Sequence, residues 1–149
     1  MNFVRYSDCY FDQCLELFSQ NCPEYFAINE RSDYIQFLRK PPADYYVGLE
    51  RDQLVSAFGL TFEASSTRAD NSARLSWILV SANFKGIGVG TKMMEYAMQL
   101  AHDKKISYLD IAASHLSAPF FARYGAQVVS EIDNGWGLGM HRVDMRLTL

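Results

Sequence analysis

The chain has 149 residues and a mass of 17.0 kDa, the size of one domain whose folding removes roughly 70% of the unfolded chain's surface from water. Apolar residues make up 49%, aromatic residues 14% and charged residues 21%, which excludes a disordered chain, a fibre and a coiled coil. Fourteen Lys plus Arg against seventeen Asp plus Glu leave a net charge of −3, so no basic excess points to a polyanion, and nucleic acid and anionic membrane are disfavoured as partners.

Residues 1–8 carry neither the apolar stretch nor the small-residue cleavage site of a secretory leader. The longest apolar runs, such as Trp77–Val80, fall far short of the about twenty residues of a membrane span, so a cytoplasmic protein is expected. Cys9, Cys14 and Cys22 are odd in number and lack metal-binding or redox spacing, which predicts three reduced thiols and no metal. A first helix is predicted over Asp8–Gln20, with Cys14, Leu15, Leu17 and Phe18 as its apolar positions behind a Ser7-Asp8 cap. A second runs from Glu24 to Leu38, placing Tyr25, Ile28, Ile35 and Leu38 near one face before Pro41-Pro42 stops it.

Tyr45–Leu49 and Leu54–Phe62 form a predicted antiparallel hairpin across the polar turn Glu50-Arg51-Asp52-Gln53, and Ala64–Ser72 is a loop. Arg74–Val80 is a third strand, leading through Ser81-Ala82-Asn83-Phe84 to the glycine cluster Gly86, Gly88 and Gly90. The helix that follows, Thr91–Asp103, repeats Met93, Met94, Ala97, Leu100 and Ala101 at three and four residues. Tyr108–Ala112 is a short buried strand, and Ala118–Tyr124 a short helix that begins beside Pro119 and ends at Gly125. Gln127–Ile132 and His141–Leu149 are two more strands across a loop, Asp133–Met140. Its Gly135, Gly137 and Gly139 lie between antiparallel strands, not before a helix, and mark a hairpin tip instead of an anion site. The order predicts an α+β fold, a single domain over residues 1–149 with a central mixed, mostly antiparallel sheet flanked by helices.

The most informative segment is Lys85-Gly86-Ile87-Gly88-Val89-Gly90-Thr91, because it joins a strand to the start of an amphipathic helix. Glycines let backbone N–H groups approach a phosphate, and the positive helix end favours its charge. The dinucleotide pattern G-x-G-x-x-G fails at Thr91, and the order Gly90-Thr91-Lys92 is not the P-loop order, so neither NAD nor ATP is indicated.

Lys85 through Gly90 matches instead a basic residue followed by x-x-G-x-G, and it resembles the pyrophosphate-binding signature of the GNAT superfamily of acetyl-CoA-dependent N-acetyltransferases. Ala118-Pro119-Phe120-Phe121-Ala122-Arg123-Tyr124-Gly125-Ala126, about thirty residues on, is similar to that family's A-x-F-Y-x-x-x-G-F segment. The resemblance covers essentially the whole chain. It implies a GNAT-like fold and acetyl-CoA as cosubstrate, with Lys85, Gly86, Ile87, Gly88, Val89, Gly90 and Thr91 at the pyrophosphate. The strands Arg74–Val80 and Tyr108–Ala112 would splay apart, leaving the amides of Leu79 and Val80 as donors to the cofactor arm or the thioester oxygen. Ser114 stands where many relatives have an Asn that contacts the cofactor arm, and Phe121 stands on the cofactor side where many have the Tyr that protonates the leaving thiolate.

A direct transfer needs a neutral amine, and an amine with a pKa of about 10.4 is mostly protonated near neutral pH. Arg74–Val80 holds no acid, so Glu63 is the first candidate base and Asp110 the second, against the readings of a solvated strand end and of a carboxylate paired with a cation. Tyr124 is the candidate replacement acid, with His115 and Ser117 nearby, against the reading of a packed aromatic. Acceptor selection falls to Tyr25, Phe26 and Glu30 of the second helix, to Trp77 and to the loop around Trp136. The expected reaction is acetyl transfer to a small-molecule or peptide primary amine. The alternative is a non-catalytic acyl-CoA-binding module or sensor, and a homodimer stays open.

Overall fold

The β-rich runs pair into one seven-stranded mixed sheet in the computed structural model, which describes residues 1–62, 71–84 and 88–149. Its strands are β1 (Asn2–Arg5), β2 (Tyr45–Glu50), β3 (Gln53–Phe62), β4 (Ser72–Val80), β5 (Tyr108–Ser114), β6 (Gln127–Gly137) and β7 (Met140–Thr148). The spatial order is β1-β2-β3-β4-β5-β7-β6, parallel only between β4 and β5. The helices are α1 (Phe11–Asn21), α2 (Glu30–Arg39), α3 (Val89–Asp103) and α4 (Ala118–Ala122). The α+β expectation holds, because the single long crossover, α3, connects the single parallel pair.

Each face of the sheet carries its own core. The α3 stripe Met93, Met94, Ala97 and Ala101 is buried against Phe58, Leu60, Leu75, Leu109 and Ile111. On the other face Leu17, Phe18, Tyr34 and Leu38 pack on Tyr45, Val47, Ala57 and Leu79. Gly59 permits the second arrangement, since a Cβ there would lie 2.7 Å from Cδ1 of the Tyr45 ring. Each large apolar side chain among them contributes about 1.5–3 kcal/mol, and Leu60→Ala would cost about 2–5 kcal/mol through the cavity it leaves.

Several boundaries differ from the sequence reading for physical reasons. The first helix is a short 3-10 turn, Asp8–Tyr10, followed by α1, and Ser7 makes no side-chain cap; its Oγ lies 3.0 Å from Cys9 Sγ. The second helix does not begin at Glu24. Residues 22–29 form turns, and the Glu30 carboxylate accepts the Ala27 N–H at 2.8 Å, which starts the regular helix only there. β1 was missed because its four residues are too short for a period to stand out. The loop Asp133–Met140 is mostly strand, since β6 continues to Gly137 and only Leu138-Gly139 turn into β7. α3 starts at Val89 instead of Thr91, α4 ends at Ala122 instead of Tyr124, and most of the loop Ala64–Ser72 lies outside the described residues.

Candidate active site

β4 and β5 stay together only from Ser72↔Tyr108 to Leu75↔Ile111. The next residues of β4 carry a bulge. Ala57 faces Leu79 while Gly59 faces Ser76, so one extra residue sits opposite Phe58, and Trp77 takes a left-handed φ of 48°. Bulges bend a strand, and here β4 departs from β5 as β5 continues along β7. The carbonyl of Trp77, turned out of register, accepts the Tyr45 hydroxyl at 3.0 Å. That hydroxyl in turn lies 2.8 Å from Tyr34 OH. The Trp77 indole is packed by Tyr34, Phe26 and Phe37, with ring centroids at 4.8, 6.0 and 5.8 Å.

The divergence opens a cleft of about 660 Å³, lined from both faces of the sheet. Met93, Gly88, Gly90, Thr91, Phe120 and Phe121 belong to the α3–α4 face, and Phe26, Glu30 and Trp77 to the α1–α2 face. Val80 lies on the cleft wall and Leu79 does not, being packed under α1 and α2. Ladder parity explains the difference. Ser81 N–H bonds Val55 O at 2.7 Å, so the preceding pair Ser56/Val80 is a non-hydrogen-bonded one, and the Val80 N–H and C=O face away from β3. The Val80 carbonyl accepts the buried Asn21 Nδ2 at 2.9 Å.

At one end of the cleft, α3 begins on Gly88, whose φ of 89° suits glycine and whose Cβ position faces open space. The first helical bond is Lys92 N–H to Gly88 O at 3.0 Å, so the N–H groups of Val89, Gly90 and Thr91 precede any helical partner. Among the described residues no side-chain cap is made to them. α4 is fastened to this end: a Cβ on Gly90 would lie 3.1 Å from the Phe120 ring, and Tyr124 OH donates to Thr91 Oγ1 at 3.0 Å. The two sequence motifs therefore meet in space. Arg123, which the sequence reading passed over, lines the same end with its guanidinium 5.3 Å from the Phe120 ring centroid. Lys85, Gly86 and Ile87 lie outside the described residues, as does Glu63.

Phe121 is on the cleft wall and 3% exposed. Tyr124 is half-buried beside the wall, reaching it through Thr91. Ser114 lines the cleft with its Oγ 3.1 Å from Ser117 Oγ, and Asp110 is held by Arg146 through two bonds of 2.7 and 3.0 Å. His115 faces His141 with ring centroids 4.8 Å apart.

At the opposite end the β6–β7 hairpin docks on the turn before α2. Asn29 Nδ2 bonds Trp136 O at 3.0 Å, and a Cβ on Gly137 would lie 2.8 Å from Ala27 Cβ. The Trp136 indole N–H bonds Ala113 O at 3.0 Å, so the ring closes the side of the cleft next to β5. Glu30 faces this space. It is the only acidic residue among the described residues that line the cleft. Burial pushes its carboxyl up from 4.5 to about 7; the nearby Asp33 charge adds to the rise and the Ala27 N–H opposes it. Among the described residues no cluster of three His, Cys, Asp or Glu could hold a metal, and no helix is long and apolar enough to cross a membrane.

A family model described as the acetyltransferase (GNAT) family matches residues 11–126. Among solved structures, Ard1 from Thermoplasma volcanium superposes with a TM-score of 0.79 at 14% identity over 99% of this chain and 97% of that one. The ribosomal-protein-alanine N-acetyltransferase from Brucella melitensis gives 0.73 at 13% identity over 100% of both chains. An aminoglycoside 6'-N-acetyltransferase complexed with coenzyme A gives 0.74 at 13% identity over 99% and 97%. At such identities these likenesses establish the fold alone. No curated protein matches the sequence.

Proposed function

The chain belongs to the acetyltransferase (GNAT) family, and on that premise we propose that it is an acetyl-CoA-dependent N-acetyltransferase that moves the acetyl group directly to a primary amine. The observation that carries the reading is a cleft with two chemically different ends. One end offers the N–H groups of Val89, Gly90 and Thr91, which precede the first helical bond, together with the Arg123 guanidinium, to a diphosphate. The gap between β4 and β5 gives an extended arm a path through the sheet. There the Val80 N–H is the donor for its amides or for the thioester oxygen as charge develops on it. The other end brings an amine to the acyl carbon from the α1–α2 face.

The residues present suit the cosubstrate. Gly88 leaves room at the helix start that a side chain would fill, and as N-cap it brings no side chain of its own. The leaving thiolate needs limited help, because a thiol with a pKa of about 8.5 departs tolerably as an anion. Tyr124 is the proton donor we assign to it, acting beside Thr91, with Phe121 as apolar wall. Glu63 stays a candidate for the base.

The test pairs binding with turnover. Gly88→Glu is expected to abolish acetyl-CoA binding in calorimetry while leaving a native circular-dichroism spectrum, because it puts bulk and negative charge where the diphosphate sits. Wild type is expected to release free thiol from acetyl-CoA in the presence of a primary-amine panel. Unchanged affinity in the variant would refute the cofactor site, and tight acetyl-CoA binding with no transfer would return the non-catalytic binding module. Longer acyl thioesters in the same screen measure the depth of the acyl pocket.

A further inference from the structure

A carboxylate that is 5% exposed normally has a cation beside it, since an unpaired buried charge is costly. Glu30 has none among the described residues. Its Oε2 takes the Ala27 N–H, and no Lys, Arg or His forms an ion pair with it. Its surroundings are aromatic: Tyr25, Phe26, Trp77 and Trp136 line the same end of the cleft, with Phe26 and Trp77 stacked at an interplanar angle of 10°. Ring faces and one carboxylate form a setting for a single ammonium on an apolar stem. A polyamine or a polycationic sugar would call for several carboxylates, and the described lining supplies one.

We propose that Glu30 is the acceptor-site residue of this chain, receiving the ammonium of a singly charged primary amine on an apolar stem and taking its proton before transfer. The proton step rests on the transferase reading; the ammonium site does not. The ammonium gives one proton to the Glu30 carboxylate, leaving a neutral amine and a neutral carboxyl. The amine lone pair forms the N–C bond to the acetyl carbon, and the C–S bond breaks with its electron pair on sulfur. The second proton lost by nitrogen ends on that sulfur, giving CoA thiol and an amide. The proton on Glu30 leaves through the cleft to water.

Three features support the assignment beyond position. The carboxyl is poised at about 7, where it is ionised often enough to accept a proton and basic enough to take one from an ammonium. The other charged or titratable groups near it do not neutralise it: Asp33 on α2 repels it, Cys22 on the preceding turn is held neutral by burial, and Arg74 lines the cleft from β4 without pairing with it. The site is also prearranged, because Asn29 and Gly137 fix the β6–β7 hairpin against the residues that begin α2.

The test uses the full chain and the fluorescence of its two tryptophans, Trp77 and Trp136, both of which line the cleft. At about pH 8 Glu30 is mostly ionised and a simple alkylamine mostly protonated. Wild type is then expected to bind 2-phenylethylamine about tenfold or more tightly than the neutral 2-phenylethanol. Glu30→Gln, which keeps an acceptor for Ala27 N–H, is expected to bind the two alike with acetyl-CoA affinity unchanged, and Glu30→Asp to recover part of the preference. No preference in wild type, or a preference that persists in Glu30→Gln, overturns the proposal. In turnover, wild-type kcat/KM is expected to rise with pH through about 7, and Glu30→Gln to lose that limb and about a hundredfold in rate. An unaltered rate and limb in Glu30→Gln, or a loss confined to a parallel Glu63→Gln, overturns the proton role. Charge-selective amine binding that depends on Glu30, without any transfer, would refute the transferase reading and sustain the ammonium site.

Discussion

Replacing Glu30 by Gln should stabilise this protein at neutral and alkaline pH, although it removes a charge from the first turn of a helix. Burial is the main cause that pushes the folded carboxyl up from its ordinary 4.5 to about 7. Below about pH 4.5 the group is protonated in both states and costs nothing. Between 4.5 and about 7 the unfolded chain gives up a proton that the folded chain retains, so stability falls as pH rises, and above about 7 the full penalty persists. A shift of that size corresponds to at most about 3 kcal/mol, and water in the adjoining cleft screens it to about 1–2 kcal/mol. Loss of a favourable charge at the α2 N-terminus opposes this by about 0.3–1 kcal/mol. The net gain for Glu30→Gln is then about 1 kcal/mol, or about 2–4 °C in Tm for a chain of this length. Urea titrations of both proteins at about pH 4, 6 and 8 measure it, and the advantage should shrink to nothing at the acid end. A variant that is less stable at about pH 8, or whose gain does not change with pH, would refute the burial argument, because a satisfied carboxylate would lose its bonds on neutralisation.

The remaining predictions concern the rest of the cleft and the thiols. Phe121→Tyr is expected to raise kcat by less than about a hundredfold, and Tyr124→Phe to lower it with acetyl-CoA affinity intact; a change under about threefold would assign Tyr124 to bracing Thr91. Gly137→Ala puts a Cβ 2.8 Å from that of Ala27, so a cost of about 1–3 kcal/mol and a raised amine KM with unchanged acetyl-CoA affinity are expected from urea and steady-state measurements. A thiol reagent should count three free cysteines after denaturation. In the native protein exposed Cys9 should react first and Cys14 last, since Cys14 is fully buried and pushed up to about 11.

What could be read from the sequence is what local periodicity and turn chemistry encode. The apolar spacing of α3 and the alternation of β7 each repeat within one element, and burial followed both patterns. The glycines before α3 marked the helix start because the left-handed φ at Gly88 is a local requirement. Asp110 could be read only as one of two alternatives, and the tertiary partner Arg146, thirty-six residues away, decided for the ion pair. The start of α2 was misplaced because residues 24–29 have helical composition, yet the Asn29 side chain is drawn to Trp136 O and the Ala27 N–H to Glu30. Glu30 itself was visible only as one polar residue among aromatics. Its burial and raised proton affinity arise from packing α2 against β4 and a hairpin 107 residues along the chain, and no local period records which solvent a side chain will lose. The sequence by itself determined α3, the alternation of β7 and the glycine start of α3, because these depend on neighbours within a few residues. The tertiary structure alone decided where the sheet parts, which amide faces the gap and which carboxylate is buried in the cleft, because those depend on long-range register and on water excluded by distant segments.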